Sequence, residues 1–314
     1  MVYKIQKGAA LLAVLVVAVI MIVLLAVASR TLQSRLVVAE QSKQKMQDSA
    51  LVYAKINELS YLIATQRVTL AGVSQGLNPR GLLKDNENRW LYAVVGDEIR
   101  ADGFTYQQGN GLEYSVQNTA GLIPVNSSGQ YWLKRWLQGY GNSVIQQAKY
   151  ADILADYADA DNWRRPGGAE IAEYKKAEMG STPANFLLQS CNELWRLPGW
   201  RELLINNTAM LQQCSLRRSD RLNINAVPIN LWQLLWPATA NNIAQQRAKG
   251  LWLFTYADII AAEPSLLLLN EQKISPVAGK VFKLQVKKGA ALYSTLIELG
   301  VSQLTPVTFK STSR

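Results

Sequence analysis

The stretch YADILADYADADNWRRPGGAEIAEY, residues 150–174, holds the densest set of side chains able to do chemistry. Asp156, Asp159, Asp161 and Glu170 surround the Pro166-Gly167-Gly168 turn. Several carboxylate oxygens on a flexible loop are what a hard cation such as calcium requires. Acids at a loop edge also cap helices and face solvent, so the residue types leave metal binding and capping both open. General acid–base work by paired carboxylates is the poorer reading, because no substrate signal accompanies them. The chain contains no histidine, which removes Ser-His and Cys-His nucleophile pairs and every His-bearing zinc site. Cys191 and Cys214 are the only cysteines, too few for a four-cysteine cluster. No G-x-x-x-x-G-K-[ST] loop is present for a nucleoside triphosphate. The expectation is a protein that is not an enzyme.

A formal charge of +10 raises nucleic acid as a partner. The basic residues are scattered, however, with nothing longer than pairs such as Arg164-Arg165, Lys175-Lys176, Arg217-Arg218 and Lys287-Lys288. A solvated basic surface is the stronger reading. NINAVPINLWQLLWPATANNIAQQRAKGLWLFTYADI (223–259) has the cadence of a helix-hairpin-helix motif, which binds phosphate through backbone N–H groups at a glycine-containing turn. Its hairpin reads Trp236-Pro237-Ala238-Thr239, without glycine and with a proline that has no N–H to donate. A scaffold for protein contact, without nucleic acid, is expected instead. Arg247 and Lys249 then read as surface, and the aromatic cluster Trp252, Phe254 and Tyr256 as core. The alternative is a membrane-anchored, competence-type DNA-binding protein.

The elements that position these groups begin at the N-terminus. Ala9 to Ala28 is free of charge and of strongly polar groups. As a helix at about 1.5 Å per residue, that run matches the roughly 30 Å thickness of a bilayer's hydrocarbon core. Lys4 and Lys7 precede it, which keeps the short N-terminus cytoplasmic and exports the body. Ala26-Val27-Ala28-Ser29 would satisfy a signal-peptide cleavage rule, but the apolar run is longer than a signal's core. Neither glycine nor proline occurs between Gly8 and Gly72, so one helix is expected from Ala9 to about Ala64. Leu32, Leu36, Ala39, Met46, Ala50 and Tyr53 recur at spacings of three, four or seven, which predicts an amphipathic second half. In an exported body Cys191 and Cys214 are expected to pair, with two buried thiols as the alternative.

Further on, residues 89–126 alternate and carry Gly-Asp and Gly-Asn punctuation, which predicts two to four short antiparallel strands packed on the helix. Residues from about 130 to 262 turn helical, and 279–300 return to strand with Gly289 as the turn. The fold class is therefore α+β, a small antiparallel sheet interrupted by a large helical insert.

QKGAALLAVL at the start resembles the processing site of type IV pilin-like proteins, where a prepilin peptidase cuts after glycine. By that resemblance Gly8 ends the leader and Ala9, often N-methylated in such proteins, begins the mature chain. Most pilins carry glutamate at mature position five, and here Ala13 stands there. DYADADNWRRPGGAE (156–170), TPANFLLQSCNELWRLPG (182–199), LNINAVPINLWQLL (222–235) and NTAGLIPVN (118–126) together resemble the protein K family of type II secretion, its large minor pseudopilin. Tyr157 stands where that family has tryptophan and Val227 where it has threonine.

The resemblance implies a pilin-like fold with an inserted all-α, SAM-like domain. The divisions expected are a leader at 1–8 and a transmembrane part of the helix at 9–29. Pilin-like helix and first strands follow at 30–126, the insert at 127–262, and sheet-completing strands at 263–314. It further implies a single-pass protein of the bacterial inner membrane with its body in the periplasm. The function implied is placement at the tip of the periplasmic pseudopilus, initiating its assembly and limiting its length for export of folded proteins. Implied partners are the I- and J-type minor pseudopilins, the major pseudopilin, the prepilin peptidase and the inner-membrane assembly platform. A structural calcium at Asp156, Asp159, Asp161 and Glu170 is implied likewise.

N-terminal sequencing of the mature protein is expected to begin at Ala9. A start at Ser29 would remove the apolar helix and overturn the reading.

Overall fold

The computed structural model describes residues 7–77, 94–269, 272–302 and 305–310. Leader residues 1–6, with Lys4, and the start of the expected strand region at 89–93 lie outside them. Helix α1 (Lys7–Thr65) has 59 residues, a rod about 88 Å long at about 1.5 Å per residue. From Leu11 to Gln47 its side chains are exposed.

The stripe expected to pack is not the one that does. Leu32, Leu36, Ala39, Met46, Ala50 and Tyr53 all remain exposed. Val52, Ile56, Leu59 and Ile63 form the buried face instead. Their spacing of four, three and four holds one side of a helix toward one neighbour. The sheet covers α1 only from Asp48 onward, and Val52 lies one position, about 100° of rotation, from Tyr53.

Beyond α1, β1 (Gly72–Ser74) pairs antiparallel with β2 (Glu98–Arg100), and β3 (Asp102–Gln108) with β4 (Leu112–Asn118). Strand β5 (Ile123–Pro124) leads into the helical body. That body holds α2 (Tyr131–Gly139), α3 (Val144–Ala158), α4 (Ile171–Lys176), α5 (Trp200–Asn206) and α6 (Met210–Gln213). Short strands β6 (Cys214–Ser215) and β7 (Leu222–Asn223) follow, then α7 (Ile229–Leu235), α8 (Ala240–Ala248) and α9 (Tyr256–Ala262). Strand β8 (Ile274–Ser275) returns the chain to β9 (Val281–Lys288), β10 (Ala291–Ser302) and β11 (Thr305–Lys310).

The main sheet is antiparallel throughout, in the order β11-β10-β9-β4-β3. Central strand β9 alternates as period two demands, burying Phe282, Leu284 and Val286 against α1. Each such side chain contributes about 1.5–3 kcal/mol on burial. Gly289, at φ +55, makes the turn into β10. Strand β11 lies within the expected sheet-completing segment 263–314, beyond the 279–300 stretch whose pattern reads as strand. Its Pro306 lacks an N–H and sits on an edge strand, where proline is tolerated.

The helical body has its own core, built on Trp132, Trp136, Trp200 and Trp232, all fully buried. Buried indoles need acceptors. Trp136 Nε1 donates to Gln213 Oε1 at 2.7 Å and Trp132 Nε1 to the Asp220 carbonyl at 2.8 Å.

Where the chain leaves the sheet and where it returns, the body staples it. Exit strand β5 pairs in parallel with β6, and return strand β8 with β7. Buried asparagines finish the seam. Asn118 Nδ2 donates to the Gly279 carbonyl at 2.7 Å and Asn118 Oδ1 accepts from Gly279 N at 2.9 Å. Asn126 bridges Leu188 and Leu216, and Asn225 bridges Leu253 and Pro276. A Cβ on Gly121 would stand 2.1 Å from the Ala226 carbonyl oxygen, so only glycine permits this approach.

One ion pair crosses the same seam. Arg247 of α8, which is 4% exposed, reaches Asp102 of β3, with Nη1 3.0 Å from Oδ2. The guanidinium also donates to the Val227 and Ile224 carbonyls at 2.7 and 2.9 Å. Arg100 holds Asp102 from its other side at 2.5 Å, and Trp252 lies beside both arginines. Burial pushes the Arg247 pKa down to about 10, opposed by Asp102, so it stays charged at neutral pH.

Replacing Arg247 with alanine leaves Asp102 short of a partner and two carbonyls without donors. The expected loss is about 3–5 kcal/mol in urea unfolding. Arg218→Ala, at an exposed side chain, should stay within about 0.5 kcal/mol.

Candidate functional site

Two features have no counterpart in an ordinary soluble domain: the bare rod and the acidic loop. The rod is the simpler. Leu11 to Val27 present apolar side chains on every face, from 74% exposed at Leu11 to 47% at Val16. Among the described residues α1 is the one helix long and apolar enough to cross a membrane. Gly8 and Ala9 lie in its first turns, and Ala13 is exposed on it.

The acidic loop follows α3. Ser143 caps that helix with a reciprocal pair of bonds to Gln146, and the helix carries Asp156 on its buried side. The four expected acids do not play one role. Asp156, fully buried, accepts from Arg165 Nη1 at 2.6 Å and from Arg165 N at 3.1 Å. Asp159 accepts from the same Nη1 through Oδ2. Asp161 Oδ1 accepts from Trp163 N at 2.8 Å, a local turn in solvent rather than a helix cap. Arg165 was not among the expected site residues. The Arg164-Arg165 pair six residues after Asp159 was the available signal.

Glu170 is different. It is 6% exposed and stands as the N-cap of α4, its backbone N–H donating to Glu173 Oε2. Neither of its carboxylate oxygens has a hydrogen-bond partner among the described residues. Asp159 Oδ1 and the Tyr174 hydroxyl are buried and unpartnered as well. Burial raises the Glu170 pKa above its ordinary value near 4.5, and Asp156, Asp159, Asp161 and Glu173 raise it further. A buried carboxylate without donors, facing other carboxylates, is costly in its charged form. Such oxygens suit a hard cation. Yet no three acids among the described residues converge as a ready cage, because Arg165 already occupies Asp156 and one side of Asp159. The oxygens left over are those of Glu170 and Oδ1 of Asp159.

Cys191 is bonded to Cys214, tying the segment after the acidic loop to β6 at the seam. The closed loop contributes about 3 kcal/mol in the chain-entropy account.

Helices α7 and α8 do form a hairpin across residues 236–239. Its tip is unsuited to phosphate. Thr239 Oγ1 donates to Glu263 Oε2 at 2.6 Å, which brings a negative charge to the hairpin and disfavours an anion there. Trp232 and Trp236 pack beneath it, and Arg247 points away into the Asp102 pair. Lys249 is exposed and Trp252 buried as expected, with Tyr256 half-buried. Arg247, expected at the surface, is buried by its pairing with Asp102, and Phe254, expected in the core, is exposed.

With this geometry in place, three comparisons bear on the chain. Residues 110–209 match the family model described as type II secretion system, protein K. No curated protein matches the sequence. A chain in the crystal structure of the GspK-GspI-GspJ complex, from the type 2 secretion system of enterotoxigenic Escherichia coli, has a similar fold. The TM-score is 0.52 at 15% identity, covering 86% of this chain and 96% of that one.

Glu170 generates a pH prediction. Its folded pKa is raised, so its favourable contribution is full below the unfolded value near 4.5 and is lost as pH rises through the folded value. In metal-free buffer at pH 7.5, Glu170→Gln should therefore melt above the parent protein. The gap should close as the pH falls below about 4.5. Equal melting temperatures at both pH values would show that the carboxylate is not strained.

Proposed function

We propose, from a chain whose residues 110–209 match the family model of type II secretion protein K, that this protein is the minor pseudopilin at the tip of a periplasmic pseudopilus. The observation that carries the reading is the rod. From Ala9 to Ala39 it has no carboxylate, and its side chains from Leu11 onward are bare. In a bundle of such helices, the charged amine of a subunit stacked above would need an acid from the subunit below. This chain offers none at Ala13 or anywhere near it. It therefore fits the position with nothing above it.

The helical body supports the same placement by bulk. It hangs on the sheet between β4 and β9 and widens one end of the molecule, which obstructs lateral repetition in a close-packed filament. Growth then starts beneath this subunit and its width limits further addition on top. The exposed stripe Leu32, Leu36, Ala39, Met46, Ala50 and Tyr53 is the natural contact for neighbouring rods. Partners of the I and J type are named in the related complex, and the same association is proposed here. The major pseudopilin packs below, after the prepilin peptidase has cut between Gly8 and Ala9. The inner-membrane assembly platform receives the apolar segment, and the body stays in the periplasm. The protein works by assembly rather than catalysis.

The acidic loop extends this reading to a structural calcium. Glu170 and Oδ1 of Asp159 would hold it, with Asp156 and Asp161 adding negative charge, and their orphaned oxygens are the support. The cation would supply the charge balance that Arg165 provides to Asp156. The Glu170→Gln comparison reads this too. Added calcium should raise the melting temperature of the parent protein and leave the variant unmoved.

The placement is tested on fibres grown in the presence of this protein carrying an epitope after Arg314. Gold label confined to one fibre end is the expected result. Label repeated along the length would overturn the reading.

A further inference from the structure

The seam between sheet and helical body contains a second polar feature, unconnected with the acidic loop. The segment from β6 to β7 pairs with exit strand β5 at one end and return strand β8 at the other. Its connecting loop carries Arg217, Ser219, Asp220 and Arg221. Together with Asn223, Ser275 and Gly279, the arginines and Ser219 line a cleft of about 220 Å³. No carboxylate is among its lining residues.

The donors around it are under-used. Arg217 spends Nη2 on the Arg221 carbonyl at 2.6 Å and the Ser219 carbonyl at 3.5 Å, while its buried Nε and its Nη1 find no acceptor among the described residues. Burial pushes its pKa down to about 10, the mark of a guanidinium that the protein itself leaves under-compensated. Arg221 uses Nε on the Ile274 carbonyl at 3.1 Å, and its terminal nitrogens donate to nothing among the described residues. Asn223 is 2% exposed, and only its Oδ1 is occupied, by Asn225 N. The nearby acid, Asp220, is paired through Oδ2 with Lys273, and its charge offsets only part of the burial penalty on Arg217. Its Oδ1 accepts from nothing among the described residues. Two guanidinium groups and a side-chain amide thus face a small cleft with donors to spare.

We propose that this cleft seats a carboxylate presented by another polypeptide, gripped between Arg217 and Arg221 with Asn223 as the third donor. The fork of a guanidinium matches a two-oxygen acceptor, and charge-assisted bonds of this type are the strong ones. The cleft is smaller than the roughly 300–1,000 Å³ usual for a small-molecule site, so it suits one acidic side chain. Its position ties that contact to the seam. The same loop holds exit and return strands together, so an occupant here bears on how the helical body sits against the sheet. The inference does not rest on the secretion reading, because it concerns only the chemistry of the cleft.

Calorimetric titration of the full-length protein in detergent tests it, using the capped dipeptide acetyl-Gly-Glu-amide, its glutamine counterpart and inorganic phosphate. The acidic dipeptide should bind saturably, and the glutamine counterpart at least about tenfold more weakly. Arg221→Gln should weaken the acidic dipeptide by about tenfold, while Arg218→Gln, outside the cleft, should leave it unchanged. Arg217 also holds loop carbonyls, so Arg221→Gln is the decisive variant. Equal binding of both dipeptides, equal loss in the Arg218 and Arg221 variants, or tighter binding of phosphate than of the acidic dipeptide would each overturn the proposal.

Discussion

A single buried carboxylate, Asp102, sets the relation between the two halves of this molecule. It stands on edge strand β3 with Arg100 on one side and Arg247 on the other. Arg247 comes from α8, deep in the helical body, and already holds two carbonyls there. A charge so placed cannot slide: any shift of the body would strand either the guanidinium or the carboxylate away from water. Hydrophobic contact alone tolerates small slips, because it is non-directional. The ion pair adds direction to a seam that packing alone would leave loose.

The rest of the seam follows the same logic of backbone satisfaction. An insert of this size must leave a sheet and return to it, which exposes strand ends with unpaired groups. The parallel pairs β5-β6 and β7-β8 cover those ends, and Asn118, Asn126 and Asn225 take the remaining carbonyls and amides. Gly121 is the steric condition for all of it, since a methyl group there would meet the Ala226 carbonyl. The segment between β6 and β7 reaches both staples at once. It is therefore the mechanical centre of the junction as well as the wall of a basic cleft.

The rod and the loop illustrate opposite uses of exposure and burial. On α1 the apolar side chains from Leu11 to Val27 are bare, which only a lipid phase or neighbouring helices can make favourable. In the loop, Glu170 is buried where a charge is unfavourable. Both are local departures from what would stabilise an isolated domain. Each is a departure of the kind that functional sites carry, and the proposed bundle of rods and the proposed cation rest on them.

What the amino-acid order determined by itself was everything carried by short-range pattern. The unbroken apolar run set the helix and its length, because nothing between Gly8 and Gly72 can stop it. Alternation and turn residues set β3, β4, β9 and β10, since period two and a glycine turn are local properties. The helical pattern from about 130 to 262 set the insert, and Asn118, Gly121 and Asn225 stitch backbone at its edges. Tertiary structure alone decided which face of α1 is buried, because Leu32 to Tyr53 and Val52 to Ile63 both read as apolar stripes and only the reach of the sheet chooses between them. It likewise decided that Arg247 pairs with Asp102, 145 positions away, and that Arg165 rather than a cage of acids meets Asp156. Those outcomes depend on distances across the fold, and residue spacing along a chain holds no record of such distances.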